Sequence, residues 1–443
     1  MRIKDITIKN FKCFSNETKI EFGDITLLTG ANSSGKSSIM YSLLGLLQSD
    51  SSPALFSPNG KYVNMGDYKE IVYNHDLSQN IILHISCEDC DVSLIETEWT
   101  FDKSNNQPKL FSIKIEGDVY GIFAKLQADN KYHVSLNYDQ KDDEKQELIQ
   151  TIYDFLFNTI KSKDGDVIQT TFDEFKASQL NAEFILDNLH DLSFNMSDKG
   201  VFKLKMLLQS IYVAFSRYKS SINYISSFRL QPERTNIEIN QDRFNIDVNG
   251  RGYLDQILHW YTYKKKTFNS FKKTLKQIGI IHDIKAKRLP GGRYEINVKT
   301  NSSGVFSSLC DVGFGIPQLL PLVVADRQLG SSSTLLVSQP EIHLHPSVQA
   351  QLGDYFVEKV SKLNKSYIIE THSEYLLNRI RLNIVKGLIS PEQVKVFHVA
   401  KVNNTSQVYQ LKFTSDGQIL NAPKDFFETY MLDVMNIALE STK

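Results

Sequence analysis

Gly30-Ala31-Asn32-Ser33-Ser34-Gly35-Lys36-Ser37 is the stretch whose reading decides the fold. It follows the apolar run Ile25–Thr29 directly and precedes a segment in which Ile39, Leu43, Leu44 and Leu47 recur at helical spacing. The pattern G-x-x-x-x-G-K-[ST] reads as a phosphate cradle because each part has a mechanical task. Glycines let backbone N–H groups turn inward, the lysine neutralises phosphate charge, and the hydroxyl binds Mg²⁺. The flanks agree: a β-branched apolar strand delivers the loop, and a helix N-terminus adds its dipole behind it. Strand, cradle and helix in this order predict an α/β protein.

The rest of the composition narrows the class. At 443 residues the chain can bury a core without disulfides, and its 41% hydrophobic and 23% charged content is that of an ordinary globular protein. No apolar run approaches the length of a membrane span, and Met1-Arg2-Ile3-Lys4-Asp5-Ile6 lacks the apolar core of a signal peptide, so a cytoplasmic protein is expected, with no membrane partner. Cys13, Cys87, Cys90 and Cys310 are too few and scattered for a disulfide framework, and Cys87-Glu88-Asp89-Cys90 has no second ligand pair nearby to complete a zinc site. A net charge of −1 denies the whole-protein footprint of an autonomous nucleic-acid binder but leaves room for a local patch.

Residues 2–29 alternate in the manner of strands and predict a small sheet feeding the cradle. Ser49–Gly60, rich in Ser, Pro, Asn and Gly, predicts a loop. Between Asn80 and Leu136, the runs Ile81–Ile85, Ser93–Phe101, Leu110–Glu116 and Tyr132–Leu136 alternate with Asp, Asn and Gly clusters, the pattern of an antiparallel meander. From Lys141 the period becomes helical: Leu148, Ile152, Phe155, Leu156 and Ile160 share one face, as do Leu204, Leu207, Leu208 and Ile211. Arg229, Arg234 and Arg251 sit in loops from which an arginine can reach phosphate, pair with a carboxylate or simply face water. A helix is predicted from Tyr253 to about Gln277. Its six lysines, from Lys264 to Lys276, are interleaved with Trp260, Tyr261, Tyr263, Phe268 and Phe271, which suits a solvated face or a nucleic-acid backbone.

The second half of the chain carries three further polar tips. Gly313-Phe314-Gly315 precedes an apolar helix and makes an anion-receptive N-terminus. The apolar strand from Thr334 ends in Ser338-Gln339-Pro340-Glu341-Ile342-His343-Leu344-His345-Pro346, and a second, from Ser366 to Glu370, ends in Thr371-His372-Ser373. Polar residues at the carboxyl ends of strands are where α/β proteins bind ligands. Glu341, His343, His345 and His372 do not read as a metal cluster, since histidines two apart on a loop point different ways.

These blocks, in this order, resemble the ABC-type ATPases of the RecF, SMC and OLD group, and specifically its short branch with an inserted arm. The resemblance implies an ABC-type head, a mixed β-sheet with helices and a P-loop, carrying an inserted β-meander and helical arm. It divides the chain into an N-terminal lobe with the cradle (1–75), a β-rich part (76–140), a helical insertion (141–218) and a C-terminal lobe (219–443). It implies ATP and Mg²⁺ held by Gly30, Asn32, Ser33, Ser34, Gly35, Lys36, Ser37 and Ser38, with Ser37 on the metal. The turn at Gly313–Gly315 would cover the γ-phosphate of an opposite subunit, so that ATP joins two copies or a higher oligomer. His372 matches the histidine that senses γ-phosphate, and His343–Pro346 the loop that links the two sites.

One departure changes the expected behaviour. Where the group's strand before this block ends in two acids, this chain has Ser338 and Gln339. An amide cannot accept a proton from water, though it can orient one, and Glu341 two residues on is the candidate base. Lys36, Gln339, Glu341 and His372 are therefore the expected catalytic set, with slow hydrolysis and a long-lived ATP-bound dimer. Two functions fit. One is a sensor and scaffold resembling the ATPase partners in the PARIS and Septu anti-phage systems, holding a separate effector protein, toxin or nuclease, with DNA or a phage protein as trigger. The other is a RecF-like or OLD-like DNA-repair or nuclease-associated ATPase. After the last core strand, Val394–Val399, the residues are too few for a nuclease domain of roughly 100 residues, and 400–443 holds no Asp-x-Asp cluster. Effector chemistry is expected on another polypeptide.

Overall fold

All five residues of Ile25–Thr29 are buried, which accounts for the uninterrupted apolar run: a strand covered on both faces has no solvent side toward which to alternate. The computed structural model describes residues 2–49, 56–139, 179–186, 199–238, 245–423 and Phe426. Its strands are β1 (Arg2–Lys9), β2 (Thr18–Glu21), β3 (Ile25–Thr29), β4 (Ile81–Glu88), β5 (Val92–Phe101), β6 (Pro108–Gly117), β7 (Tyr120–Leu126), β8 (Tyr132–Asp139), β9 (Gln179–Leu186), β10 (Ile222–Ile225), β11 (Asn236–Ile237), β12 (Asp283–Leu289), β13 (Arg293–Lys299), β14 (Ser307–Ser308), β15 (Thr334–Ser338), β16 (Ser366–Glu370), β17 (Val394–Val402), β18 (Thr405–Phe413) and β19 (Ile419–Leu420). The α-helices are α1 (Lys36–Leu47), α2 (Tyr68–Ile71), α3 (Lys199–Ser220), α4 (Tyr253–Tyr263), α5 (Lys265–Gln277), α6 (Gly315–Gln328), α7 (Pro346–Leu363) and α8 (Glu374–Val385). Two compact units result, Met1–Ile20 with Ser42–Tyr218, and Glu21–Tyr41 with Lys219–Lys443.

The first unit is built on an eight-stranded sheet in the order β2-β1-β4-β5-β6-β7-β8-β9. The meander expected from the sequence is its centre, with β7 entering between β6 and β8, and β9, which lies in the stretch 141–218 expected to be helical, is instead a strand that pairs with β8. Alternation of buried and half-buried residues along β4 marks a strand covered on one face. The small sheet expected to feed the cradle does not form as such: β1 pairs antiparallel with β4, setting Ile6 beside Ile85 and Ile8 beside Leu83, so β1 and β2 join the meander while β3 pairs elsewhere. In α3, Leu204, Ile211, Phe215 and Tyr218 form the buried stripe, with Leu207 and Leu208 at its half-buried margin. The helical face read at Leu148–Ile160 lies outside the described residues.

The second unit contains a seven-stranded sheet, β10-β15-β16-β3-β17-β18-β19. From β10 to β17 the strands run parallel, and β18 and β19 close the edge antiparallel. This order places β16 between β15 and the cradle strand β3, with Ser338 abreast of Glu370 and Glu370 abreast of Leu28. Helices cover the sheet through a core that includes Leu320, Leu352, Phe356 and Tyr367, the last two with ring centroids 4.7 Å apart. A smaller sheet of β11, β13 and β12, with β14 on β13, completes the unit.

The single helix expected from Tyr253 to Gln277 is two. Lys264, at φ −124° and ψ 61°, breaks it, and the bend is held by aromatic edges: Tyr261 on Phe268 at 5.1 Å and Trp260 on Phe271 at 5.5 Å. Packing of those rings outweighs straight continuation of a helix whose next three residues are Lys264, Lys265 and Lys266. Among the described residues, no helix is long and apolar enough to cross a membrane.

Candidate nucleotide-binding site

Strands β3, β15 and β16 end side by side, and from Thr29 the chain turns through the cradle into α1. Gly30, Ser33 and Gly35 take φ of +132°, +59° and +108°, so the turn needs left-handed backbone at three of its positions. At Gly30 a Cβ would lie 2.1 Å from the Val399 carbonyl oxygen of β17, which leaves room for glycine alone. Asn32 and Ser33 are exposed at the tip, whereas Ser34 is buried and its hydroxyl has no hydrogen-bond partner. The Ser406 hydroxyl donates to the Ser34 carbonyl at 2.5 Å, tying the loop to β18.

Lys36 is buried and donates to two carbonyls of its own loop, Gly30 at 3.0 Å and Ala31 at 2.7 Å. Burial lowers the pKa of its ammonium, and the charges of Glu370 and Glu341 act against that fall. The Ser37 hydroxyl lies 2.9 Å from each carboxylate oxygen of Glu370. On the other side Ser338 Oγ donates to Glu370 Oε2 at 3.1 Å and stands 3.2 Å from the Tyr224 hydroxyl. Glu370, Ser338 and Tyr224 are 5%, 4% and 2% exposed.

The tip of β15 is fixed by Arg229, which takes none of the three roles open to it in the sequence. Its buried guanidinium donates to the carbonyls of Ser338 (2.8 Å), Gln339 (3.2 Å), Gln318 (3.2 Å) and Ser226 (3.0 Å), joining that tip to the first turns of α6. Burial pushes its pKa down to about 10. Gln339 sits at φ +48°, a left-handed conformation that a non-glycine residue holds only where its surroundings enforce it, and its N–H donates to the Glu370 carbonyl at 2.7 Å.

Glu341, 9% exposed, accepts the His372 backbone N–H on Oε1 at 2.6 Å, while its Oε2 is buried without a partner. Burial raises this carboxyl's pKa, the direction that suits a proton acceptor near neutral pH. His372 is shifted the opposite way, lowered by burial and by the nearby Lys36. Ser373 then caps α8 by accepting the Leu376 N–H at 3.1 Å.

The structure thus brings Lys36, Ser37, Ser338, Gln339, Glu341 and His372 to one set of strand tips. The turn at Gly313–Gly315 packs against the loop that follows β15: a Cβ on Gly315 would lie 2.6 Å from the His343 carbonyl oxygen, and the Phe314 and His343 rings are 5.9 Å apart. His345 caps α7, its Nδ1 accepting the Ser347 N–H at 3.3 Å. Sequence reasoning passed over Glu370 and Tyr224. The available signal for Glu370 was an acid closing an apolar strand immediately before Thr371-His372.

The residues present fit a phosphate with a divalent cation. A loop with three left-handed positions, an orphaned buried hydroxyl at Ser34, a buried lysine at Lys36 and an orphaned carboxylate oxygen at Glu341 form a set whose valences the chain does not itself fill.

The family model described as "AAA ATPase domain" matches residues 1–377. No curated protein matches the chain. Among solved structures, the SMC head domain from Thermotoga maritima is similar over 92% of this chain and 98% of its own, at 12% identity and a TM-score of 0.37. The Smc head domain with an extended coiled coil from Pyrococcus furiosus, bound to the C-terminal domain of ScpA, is similar over 100% of this chain and 99% of its own, at 13% identity and a TM-score of 0.42. With the family match running from residue 1 to residue 377, the chain belongs to the AAA ATPase domain family.

Proposed function

We propose that this protein is an ATP-gated switch of the ABC type, binding ATP with Mg²⁺ and hydrolysing it slowly. One observation carries the reading: the tip of β15 is neutral, Ser338 and Gln339, where two acids would otherwise stand, and of the nearby carboxylates Glu370 is engaged by two hydroxyls while Glu341 keeps one oxygen on the His372 N–H and one open. The cradle amides, Ser34 and Lys36 hold phosphate, and Ser37 holds the cation. Bound Mg²⁺–ATP supplies a terminal phosphoanhydride that water can cleave and a charge that a second copy can recognise. Gln339 orients water without accepting its proton, and Glu341, its pKa raised by burial, is the acceptor. The turn at Gly313–Gly315, with Phe314 59% exposed, is the surface offered to a second copy.

In this reading the ATP-bound dimer is a sensor and scaffold of an anti-phage complex, retaining a separate effector until DNA or a phage protein triggers its release or activation. Isolation of the native complex tests it: a toxin or nuclease co-purifying stoichiometrically supports the scaffold role. A second reading, a RecF-like or OLD-like ATPase that binds DNA directly, is favoured by one local feature. Between residues 256 and 294 there are ten lysines and arginines against the single acid Asp283. The groove of about 700 Å³ in this region is lined by Tyr261, Phe268, Lys265, Lys272, Lys285 and Phe306. Salt-sensitive DNA binding with no protein partner transfers the assignment to that reading.

A further inference from the structure

Glu370 is a buried negative charge whose hydrogen bonds come from two neutral hydroxyls, Ser37 at 2.9 Å and Ser338 at 3.1 Å. Lys36 adds its field, but its ammonium is bonded to the carbonyls of Gly30 and Ala31. A serine hydroxyl has one proton to donate and two lone pairs to offer. With the Ser37 proton directed at Glu370, the lone pairs of Ser37 are left for a cation. We infer that Glu370 is the positioning residue for Mg²⁺ in this chain, doing from β16 what an acid at position 338 of β15 would otherwise do. This rests on the reading that the cradle binds ATP with Mg²⁺.

Sheet order makes the exchange possible. Residues abreast on neighbouring parallel strands share a face, and Glu370 stands abreast of Ser338 on one side and Leu28 on the other. An acid moved from β15 to β16 is therefore moved one strand closer to β3 while facing the same way, and the glutamate side chain spans the gap to Ser37. The same register explains why position 338 is not an acid. A carboxylate there would stand directly beside Glu370 in a buried place, where like charges oppose each other. A hydroxyl donates to Glu370 instead, and the Tyr224 hydroxyl beside Ser338 continues the chain of hydrogen bonds. Gln339 reinforces the join through its N–H on the Glu370 carbonyl at 2.7 Å.

The test is the affinity of the full chain for ATP, measured calorimetrically with and without Mg²⁺, in wild type, Glu370→Gln, Glu370→Asp and the double variant Ser338→Asp/Glu370→Gln. Wild type is expected to bind ATP more tightly with Mg²⁺. Glu370→Gln is expected to lose about 10-fold to 100-fold of that Mg²⁺-dependent gain, the usual effect of removing a residue behind a metal ligand. Its affinity for ATP in EDTA and its thermal midpoint are expected to hold, which a merely structural role would not allow. Glu370→Asp, with the same charge on a shorter arm, is expected to lose part of the gain. The double variant, with an acid restored at position 338, is expected to recover it. A full Mg²⁺-dependent gain in Glu370→Gln or Glu370→Asp, or no recovery in the double variant, overturns the inference alone. Absence of Mg²⁺–ATP binding in wild type overturns the reading of the cradle on which it rests.

Discussion

The two ends of β16 carry similar chemistry put to opposite use. Just before its first residue, Lys365 is buried against Asp326 of α6, with Nζ 3.1 Å from Oδ1 and a second bond to the Asp326 carbonyl. Tyr367 donates to the same carboxylate at 2.9 Å, and Tyr355 donates to its other oxygen. Asp326 and Lys365 are 2% and 3% exposed, and burial lowers the lysine's pKa even beside its partner. Both carboxylate oxygens of Asp326 are met, so the valences of this carboxylate are filled by the chain itself. At the other end, Glu341 keeps one oxygen unpaired, Ser34 keeps its hydroxyl unpaired, and Lys36 is bonded to its own loop. The difference separates structure from function: a closed buried network stabilises the fold, whereas one with open valences waits for a ligand.

That contrast is broken or sharpened by substitutions at each end. The largest effect on stability is expected from Lys365→Met, which leaves Asp326 buried without its cation and should cost about 3–5 kcal/mol in denaturant unfolding. ATP affinity should be unchanged, and a loss of binding would show that the two ends are coupled. Lys36→Ala should do the reverse, weakening ATP binding by roughly 2–5 kcal/mol, the scale for removing one partner of a desolvated charge pair. Its unfolding midpoint should stay near wild type, and a large fall would mean that the lysine is a structural group like Lys365.

A smaller change is expected from Gln339→Glu. Restoring an acid beside the neutral tip should raise the single-turnover rate about 10-fold, short of the full effect of a positioned base. An unchanged rate would argue that Glu341 alone takes the proton. The smallest effect concerns pH. Folding lowers the pKa of His372 from 6.5, so the unfolded chain takes up this proton first as pH falls. Stability contributed by the neutral imidazole is present above 6.5 and lost as pH falls from there through the lowered folded value. Unfolding midpoints of wild type and His372→Gln compared from pH 8 to pH 5 should therefore diverge only below 6.5, with wild type losing more. Parallel curves would mean that the imidazole titrates as it does in water.

The cradle was legible in the sequence because its requirements are local: glycines, a lysine and a hydroxyl at fixed spacing between a strand and a helix. The meander was legible through alternation, although β7 was passed over between the runs ending at Glu116 and beginning at Tyr132, because its exposed Phe123 and buried Ala124 blur the alternation. What depended on distant partners was not legible. Glu370 gained its place only when sheet order put β16 between β15 and β3. Arg229 became a clamp on four carbonyls because the chain folded back around it, a fact that no spacing encodes. The break at Lys264 was set by rings that meet across it, overriding the helical periodicity on either side.

The neutral tip of β15 makes slow cleavage the central claim, and a single-turnover assay with excess protein over labelled ATP and Mg²⁺ tests it most directly. Saturable binding with cleavage below about 0.01 s⁻¹, the scale of a water oriented by glutamine, is the expected result in wild type, falling further in Glu341→Gln. Fast cleavage that is insensitive to both Gln339 and Glu341 substitutions would contradict it.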